Sequence, residues 1–395
     1  MLSAAIGISA LGDWLALVPL NLELRDMHGS GLAVAALFIA VWSPAALLAA
    51  PAGNLVDRYD RRRLLAAASL IQAAAAVGLA YAGTTLAILG LAAVLGVFAA
   101  LASPAEFALV PAIVPEADMR RANGWIETGR YAGFMFGPLV GGAVAAAGGV
   151  KAALLVDAAS FCVVAAAALS LHARSGRAAS RDSGGRARDG IAYLVRDRVL
   201  RIVMVAAFAS LLFMTASAAA EVFFAKDVMH LSDAGFGAWL SAWPIGMVLG
   251  ALVVARRLRV DLAAAALVAI VLQGVGLALP TVWVAIGLAF AGFLAGGVAH
   301  GTKNVLIRTL IHERVPERLH GRAYAAYNGL RNAAELVALA LGGILVAAIG
   351  ARGTLFIAGA VPALAGLVCV AVYARVRIAA GGPLIEAPEA PPRSG

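Results

Sequence analysis

The chain has few charged residues and hardly any cysteine or lysine. Only 13% of its 395 residues are charged and 62% are hydrophobic, whereas soluble domains are about 25% charged and about 45–50% apolar. A soluble fold of this size could not bury so much apolar side chain. The composition therefore excludes an ordinary soluble enzyme or binding domain and predicts a protein that lies in lipid.

The missing residue patterns exclude several kinds of chemistry. Cys162 and Cys369 both fall inside apolar runs, where cysteine behaves as a small buried hydrophobe. No cysteine and histidine spacing suits zinc. None of the three lysines follows a glycine, which excludes the phosphate loop of ATPases. We therefore expect no enzyme activity, no cofactor and no metal.

The net charge of +9 does not indicate a nucleic-acid partner. Proteins that bind nucleic acid carry their basic residues on a polar surface. In this chain the basic residues lie between apolar runs, as they do in the inner loops of membrane proteins. The bilayer is thus the predicted environment.

Twelve apolar runs approach the length of about 20 residues that crosses a membrane. The first begins at Leu2 with no basic segment before it, which predicts a spanning helix rather than a signal peptide. The predicted spans are 2–24, 32–52, 64–83, 85–106, 122–147, 151–172, 200–225, 233–255, 262–280, 282–303, 323–349 and 353–375.

Arginine placement predicts the orientation, because inner loops are enriched in basic residues. Most of the 31 basic residues fall on the side of the N-terminus, including eight arginines between positions 174 and 201. The opposite side holds only Arg25, Lys151, Lys226 and Arg352. Both termini are therefore expected in the cytoplasm.

The longest polar segment, 173–199, separates two sets of six spans. It divides the chain into an N-terminal half at 1–172, a cytoplasmic linker, a C-terminal half at 200–377 and a tail at 378–395. Within the linker, Ile191, Leu194 and Val195 share one helical face, which predicts an amphipathic helix on the inner leaflet. A plain flexible linker suits its first part better.

Short motifs recur at one fixed offset of 201 residues. Four matches in register indicate two halves of the same topology, as in transporters built from parallel repeats. The matches are Val114-Pro115-Glu116 with Val315-Pro316-Glu317, Arg121-Ala122 with Arg322-Ala323, Arg130 with Arg331, and Gly141-Gly142 with Gly342-Gly343.

The connection between the second and third spans packs charge into a very short loop. Gly53, Asp57, Arg58, Arg61 and Arg62 match the pattern Gly-x-x-x-Asp-Arg-x-Gly-Arg-Arg. This loop resembles the cytoplasmic signature of the major facilitator superfamily. The resemblance implies an all-α integral membrane protein with twelve transmembrane helices, arranged as two six-helix bundles related by a parallel repeat.

The resemblance also implies a role for this loop in gating. Gly53 would let two helices approach closely, and Asp57 would contact helix 11 and hold the outward-facing state shut on the inside. Asp60 stands where the family has its second glycine, which puts the tightness of the turn in question. The alternative is that the arginines only anchor the loop at the inner surface.

Span 5 contains a second motif, a glycine-rich helix with a Gly-Pro step. It resembles the antiporter motif of the superfamily's exporters, since proline kinks a helix and glycines at four-residue spacing allow close packing. The alternative is packing alone. The residues are Gly133, Gly137, Pro138, Gly141 and Gly142.

Ionisable residues inside spans are candidates for function because they are costly to bury in lipid. Asp13 and Glu221 are the candidates for proton coupling, and each could instead be hydrogen-bonded structure. Asp157 is expected only to pack. At the end of span 10, His300 and Lys303 could meet an anionic substrate, but snorkelling to the interface is the favoured interpretation.

Two charge pairs are expected from helical spacing near the inner ends. Glu127 and Arg130 lie three residues apart in span 5, and Arg331 and Glu335 lie four apart in span 11. Their repeat-related positions favour a structural role.

Further short motifs narrow the resemblance to the subfamily that contains the enterobactin exporter and macrolide-efflux permeases. They include Ser103-Pro104-Ala105 and Arg121-Ala122-Asn123. This implies a monomer in the bacterial inner membrane that exports a small molecule, such as a drug or siderophore, by proton antiport. The alternatives are a facilitator importer, a lysophospholipid flippase or a membrane sensor without flux.

Overall fold

The computed structural model describes residues 2–28, 30–114, 119–171, 187–255, 261–316 and 319–379. Within these ranges the regular structure is helical and contains no strand. The helices are α1 Leu2–His28, α2 Gly31–Leu47, α3 Ala49–Arg58, α4 Arg61–Leu79, α5 Thr85–Ile113, α6 Met119–Ser170, α7 Ala187–Arg196, α8 Arg198–Ala216, α9 Ala218–Phe223, α10 Asp233–Leu249, α11 Leu262–Val282, α12 Ile286–Arg314 and α13 His320–Ala379, with π-helical turns at Phe224–Val228 and Gly250–Val254.

Seven of the described helical stretches are long and apolar enough to cross a membrane. Two of them, Gly124–Ser170 and Arg322–Ala379, have 47 and 58 residues. At about 1.5 Å per residue, each is long enough to cross a hydrocarbon core of about 30 Å twice. The seven stretches therefore provide nine crossings, and α1, the α2–α3 stretch and α12 provide three more, which accounts for the twelve predicted spans. The predicted all-α fold is confirmed.

Two glycines bend the longest helices at matching places. Gly149 in α6 has φ 73° and ψ 174°, and Gly350 in α13 has φ 73° and ψ 172°. Glycine is essentially the only residue that adopts this conformation. Asp60 and Asp261, which cap the N-termini of α4 and α11, are also 201 residues apart, as the two glycines are. The repeat therefore extends to helix starts and helix bends.

The chain separates into two compact units, each assembled from several stretches of sequence. Unit 1 comprises Met1–Asp182, Ala218–Ser241 and Leu339–Ala351, and unit 2 comprises Ser183–Ser217, Ala242–Ala338 and Arg352–Gly395. The division into sequence halves at 1–172 and 200–377 stays a prediction.

Apolar side chains fill the interior of each unit and also cover helix surfaces. Leu65 and Leu109 are fully buried in the core of unit 1, and Leu200 in that of unit 2. In contrast, Leu86 is 82% exposed and Leu364 is 63% exposed. Apolar surface of this kind belongs against lipid.

The second part of the predicted linker folds as helix α7. Asp197 follows it and caps α8 by accepting hydrogen bonds from two backbone amides of the next turn. Leu194 is buried in unit 2, whereas Val195 is exposed. The expected helix is thus present, its place on the inner leaflet stays a prediction, and residues 172–186 lie outside the described part.

Candidate functional site

Asp60 shapes the loop between α3 and α4. Its carboxylate accepts hydrogen bonds from the backbone amides of Arg62 at 2.9 Å and Arg63 at 3.3 Å, which makes it the N-cap of α4. Burial acts to raise the pKa of Asp60, but the hydrogen bonds from the Arg62 side chain and both amides outweigh it and lower the pKa. Its φ of −63° requires no glycine. The departure from the family pattern therefore supplies a helix cap.

Arg62 connects this loop to the end of α6. Its guanidinium donates a hydrogen bond to the backbone carbonyl of Leu171 and lies 3.3 Å from the carboxylate of Asp60. Leu171 directly follows α6. One arginine of the signature loop therefore joins two helices within unit 1, in addition to adding positive charge.

The other residues of the signature loop are placed on the flanking helices. Gly53 and Asp57 lie in α3, but the surroundings of their side chains lie outside what the structure describes. Arg58 ends α3 with an exposed side chain, and Arg61 begins α4. The gating contact of Asp57 stays a prediction.

The glycine-rich part of α6 packs directly on α1. A Cβ atom added to Gly137 would lie 2.4 Å from the Cβ of Trp14, and one added to Gly141 would lie 2.6 Å from the carbonyl oxygen of Leu15. Both distances are too short for any larger residue, so glycine sets the separation of these helices. Gly133 and Pro138 are also buried.

The next glycine of this motif brings α6 against α10. A Cβ on Gly142 would lie 2.5 Å from the carbonyl oxygen of Asp233, and one on Gly237 would lie 2.2 Å from that of Pro138. The motif is a packing surface for α1 and for α10 within unit 1.

A cavity of about 520 Å³ lies among the helices of unit 1, within the range of about 300–1,000 Å³ that is usual for small-molecule pockets. Trp14 and Trp42 line it, with ring centroids 6.3 Å apart. The ring of Phe134 is tilted by 52° against that of Trp14, with the ring centroids 4.8 Å apart. Trp239, also in unit 1, is buried against Phe224, with ring centroids 6.0 Å apart.

Polar groups on the cavity wall are few and deeply buried. Asp157 is 1% exposed and Gln72 is 5% exposed, and both line the cavity. The hydroxyl of Ser160 donates a hydrogen bond of 3.4 Å to the Asp157 carboxylate. A Cβ on Gly12 would lie 2.4 Å from an oxygen of Asp157, so α1 passes directly beside this carboxylate. The sequence predicts only a packing role for Asp157, and its place on the cavity wall depends on contacts between distant segments.

Of the two residues that the sequence predicts for proton coupling, Asp13 and Glu221, Glu221 is not among the described residues that line the cavity of unit 1. Asp13 lies in α1, directly after Gly12, and its side chain lies outside the described residues. Glu221 lies partly buried in α9, which belongs to unit 1. Their roles stay predictions.

The expected charge pairs differ between the two repeats. Arg130 donates a hydrogen bond of 2.8 Å to Glu106 on α5, a partner that local helical spacing could not identify. The pairing of Glu127 with Arg130 stays a prediction, and Glu127 is exposed. In α13, the Nε of Arg331 lies 3.4 Å from the carboxylate of Glu335, as a spacing of four residues predicts.

The preferred interpretation of Lys303 as a snorkelling residue is wrong. Its side chain is only 3% exposed, and its ammonium donates a hydrogen bond of 2.9 Å to the Oε1 of Gln273 and lies 3.4 Å from the Nδ1 of His300. Helix α12 continues to Arg314, eleven residues further. At about 1.5 Å per residue, the end of the helix is beyond the reach of the side chain.

Known proteins resemble the chain over almost its whole length. Residues 2–338 match the family model described as Major Facilitator Superfamily. An uncharacterized MFS-type transporter of Bacillus subtilis (strain 168), YfiS, is 24% identical over 390 residues, which cover 93% of this chain and 91% of that protein.

Solved structures resemble the fold at low sequence identity. A bacterial homologue of the human lysosomal transporter Spinster, in an inward-facing and unoccupied conformation, has a TM-score of 0.70 at 13% identity and covers 96% of each chain. The nucleoside transporter NupG has a TM-score of 0.71 at 15% identity, covering 94% of this chain and 97% of its own. The family match spans far more than half of the sequence, and the chain therefore belongs to the major facilitator superfamily.

Proposed function

We propose that this transporter exports an amphipathic small molecule across the bacterial inner membrane in exchange for protons. The observation that carries the proposal is the cavity of unit 1, which combines Trp14 and Trp42 with a deeply buried carboxylate, Asp157. The glycine-rich surface of α6 lies against α1 beside Trp14. The glycine-rich motif therefore packs on α1 next to one of the tryptophans that line the cavity.

The size and lining of the cavity support an apolar or aromatic cargo. About 520 Å³ is enough for a molecule of drug size, and the two tryptophans offer broad apolar faces. This favours cargo of the kind handled by the enterobactin and macrolide exporters that the sequence motifs resemble. The proposed cargo class is therefore a drug, siderophore or other amphipathic metabolite.

Asp157 is the residue we assign to proton binding, ahead of Asp13 and Glu221. A carboxylate inside a spanning helix is costly to keep charged, so it is suited to exchange a proton when its surroundings change. Asp157 is 1% exposed, lies on the cavity wall and touches α1 at Gly12. Movement of α1 would therefore alter its solvation directly.

The remaining assignments follow the sequence motifs. We place both termini in the cytoplasm on the arginine distribution. The loop that contains Asp57 and Arg62 is then cytoplasmic, and we assign it to the inner gate. Arg62 supports this because its contact with Leu171 fixes the loop at the end of α6. The transporter is proposed to act as a monomer with no cofactor.

Substrate accumulation in an efflux-deficient bacterial host tests this function. Cells expressing the wild type are compared with cells expressing Asp57→Asn, and with the exposed-carboxylate control Glu313→Gln. The panel contains macrolides, dyes and catechol siderophores, each measured with and without an uncoupler. We expect the wild type and the control to lower accumulation of at least one compound, and the uncoupler or Asp57→Asn to remove that effect.

Other outcomes distinguish the alternatives. Raised accumulation of a compound in wild-type cells would contradict export and favour a facilitator importer. Unchanged accumulation across the panel, with the protein present in the membrane, would refute broad drug efflux and direct attention to a lipid or a dedicated metabolite. Lowered accumulation that survives the uncoupler would exclude proton coupling.

A further inference from the structure

Unit 2 contains a buried polar cluster around Lys303 that the proposed proton exchange does not use. Lys303 is 3% exposed and His300 is 9% exposed, both on α12. The Lys303 ammonium has two polar neighbours, the amide oxygen of Gln273 at 2.9 Å and the imidazole Nδ1 of His300 at 3.4 Å. Arg331 on α13 lines the same small cavity.

The positive charge in this cluster exceeds the negative charge. Glu335 faces Arg331 at 3.4 Å and is the single carboxylate among the described residues that line the cavity. No carboxylate oxygen of the described residues lies within 4.0 Å of the Lys303 ammonium, whose two polar contacts are Gln273 and His300. Burying an unpaired charge is costly, so an anion would stabilise the cluster.

The excess of positive charge occurs in unit 2 and not at the repeat-related positions of unit 1. In unit 1, Arg130 is neutralised by Glu106 at 2.8 Å. The position that matches Glu106 at the offset of 201 is Ile307, which carries no charge. Arg331 instead has Glu335 from its own helix, and Lys303 is added beside it. The second half has therefore replaced a neutral pair with a site of net positive charge.

Two buried nitrogen donors of this cluster make no hydrogen bond. The Nε2 of Gln273 and the Nε of Arg331 are both buried without a hydrogen bond, although the carboxylate of Glu335 lies 3.4 Å from the latter. Of the two residues, Arg331 lines the cavity, and its guanidinium can donate to an anion there as Lys303 can. An anionic group bound here would satisfy donors that are otherwise costly to bury.

The cavity is small and has an aromatic wall. Its volume is about 70 Å³, and a cavity needs about 10–15 Å³ of such volume to hold one water molecule, so it has room for a head group of carboxylate size. Phe208 and Tyr327 line it with ring centroids 6.1 Å apart. A planar apolar body could continue from the head group along these rings.

We infer that this cluster binds the carboxylate, or a comparable anionic group, of an aromatic solute, with Lys303 and Arg331 as the binding cations. The inference goes beyond the proposed function and rests on it only for a role in transport. Binding itself needs no flux, no direction and no proton coupling, so it can be tested even if export by proton antiport is refuted.

The test is isothermal titration calorimetry on the full chain in phosphatidylcholine nanodiscs. The probes are benzoate and its neutral isostere benzamide, which differ in charge at nearly constant shape. The variants are Lys303→Met and the matched control Lys151→Met, since the Lys151 ammonium lies exposed over the ring of Tyr81. Repeating the titration with phosphatidylglycerol in the nanodiscs separates a soluble anion from a lipid head group.

The inference predicts that the wild type and Lys151→Met bind benzoate at least about tenfold more tightly than benzamide. Lys303→Met should remove that preference. Equal binding of the two probes by the wild type would overturn the inference without any variant, as would an unchanged preference in folded Lys303→Met or an equal loss in Lys151→Met. Loss of benzoate binding when phosphatidylglycerol is present would overturn the assignment to a soluble solute, because the lipid head group would then occupy the cluster.

Discussion

The two glycines that bend α6 and α13 allow a quantitative test of the repeat. Gly149 and Gly350 both have φ 73°, with ψ of 174° and 172°. A Cβ added at either position would meet no atom within 4 Å. Replacement by alanine therefore introduces backbone strain and no collision, which is an unusually clean perturbation.

The expected cost follows from the backbone conformation alone. This region is open essentially to glycine only, and a non-glycine residue held there costs about 1–3 kcal/mol. Gly90 and Gly287 provide matched controls, because they also have open space around a Cβ but lie inside helices without a positive φ. Alanine there should be neutral or stabilising by up to about 1 kcal/mol.

The free energy of unfolding can be measured by SDS titration in mixed micelles, followed by far-ultraviolet circular dichroism. We expect Gly149→Ala and Gly350→Ala to lower it by about 1–3 kcal/mol each and both control variants to keep or raise it. If Gly149→Ala were as stable as Gly90→Ala, the bend would not depend on the positive φ and the reasoning would be refuted.

Three further changes test the candidate site. Asp157→Asn should abolish proton-coupled export while the exposed control Asp26→Asn retains it, measured by accumulation with and without an uncoupler; equal activity of the two would contradict the proton role. Gly137→Val should lower stability by about 1–3 kcal/mol and impair transport, because its Cβ would lie 2.4 Å from that of Trp14; wild-type stability and flux would show that the close packing is dispensable. Asp60→Ala should cost about 1 kcal/mol through loss of the helix cap. Since the pKa of Asp60 is lowered in the fold, its stabilising contribution is present above the ordinary aspartate pKa of about 3.9 and is lost as the pH falls through the lowered value. A stability difference between wild type and Asp60→Ala that grows with acidification would contradict this assignment.

The fold could be predicted from the sequence because lipid imposes simple rules on a chain. Apolar length marks the helices, and the offset of 201 relates helix starts and helix bends along the chain. The bends at Gly149 and Gly350 could also have been found, since both lie at that offset. The chain has 43 glycines, however, and the sequence alone does not reveal which of them adopt a positive φ.

The site was harder to predict because its contacts join distant segments. The pairing of Arg331 with Glu335 follows from local spacing, whereas that of Arg130 with Glu106 joins two helices across 24 residues. Lys303 was misplaced for a different reason. The predicted span ended at 303, but the helix continues through a polar segment to Arg314, which puts the lysine well inside it.

Proton movement in proteoliposomes tests the central proposal most directly. Vesicles that contain the transporter and trapped pyranine are given the compound selected by the accumulation assay, with Asp157→Asn vesicles as the comparison. Proton antiport predicts that the internal pH rises as the compound enters and that the variant shows no such rise. Entry of the compound without a change in internal pH, or with a fall, would contradict proton antiport.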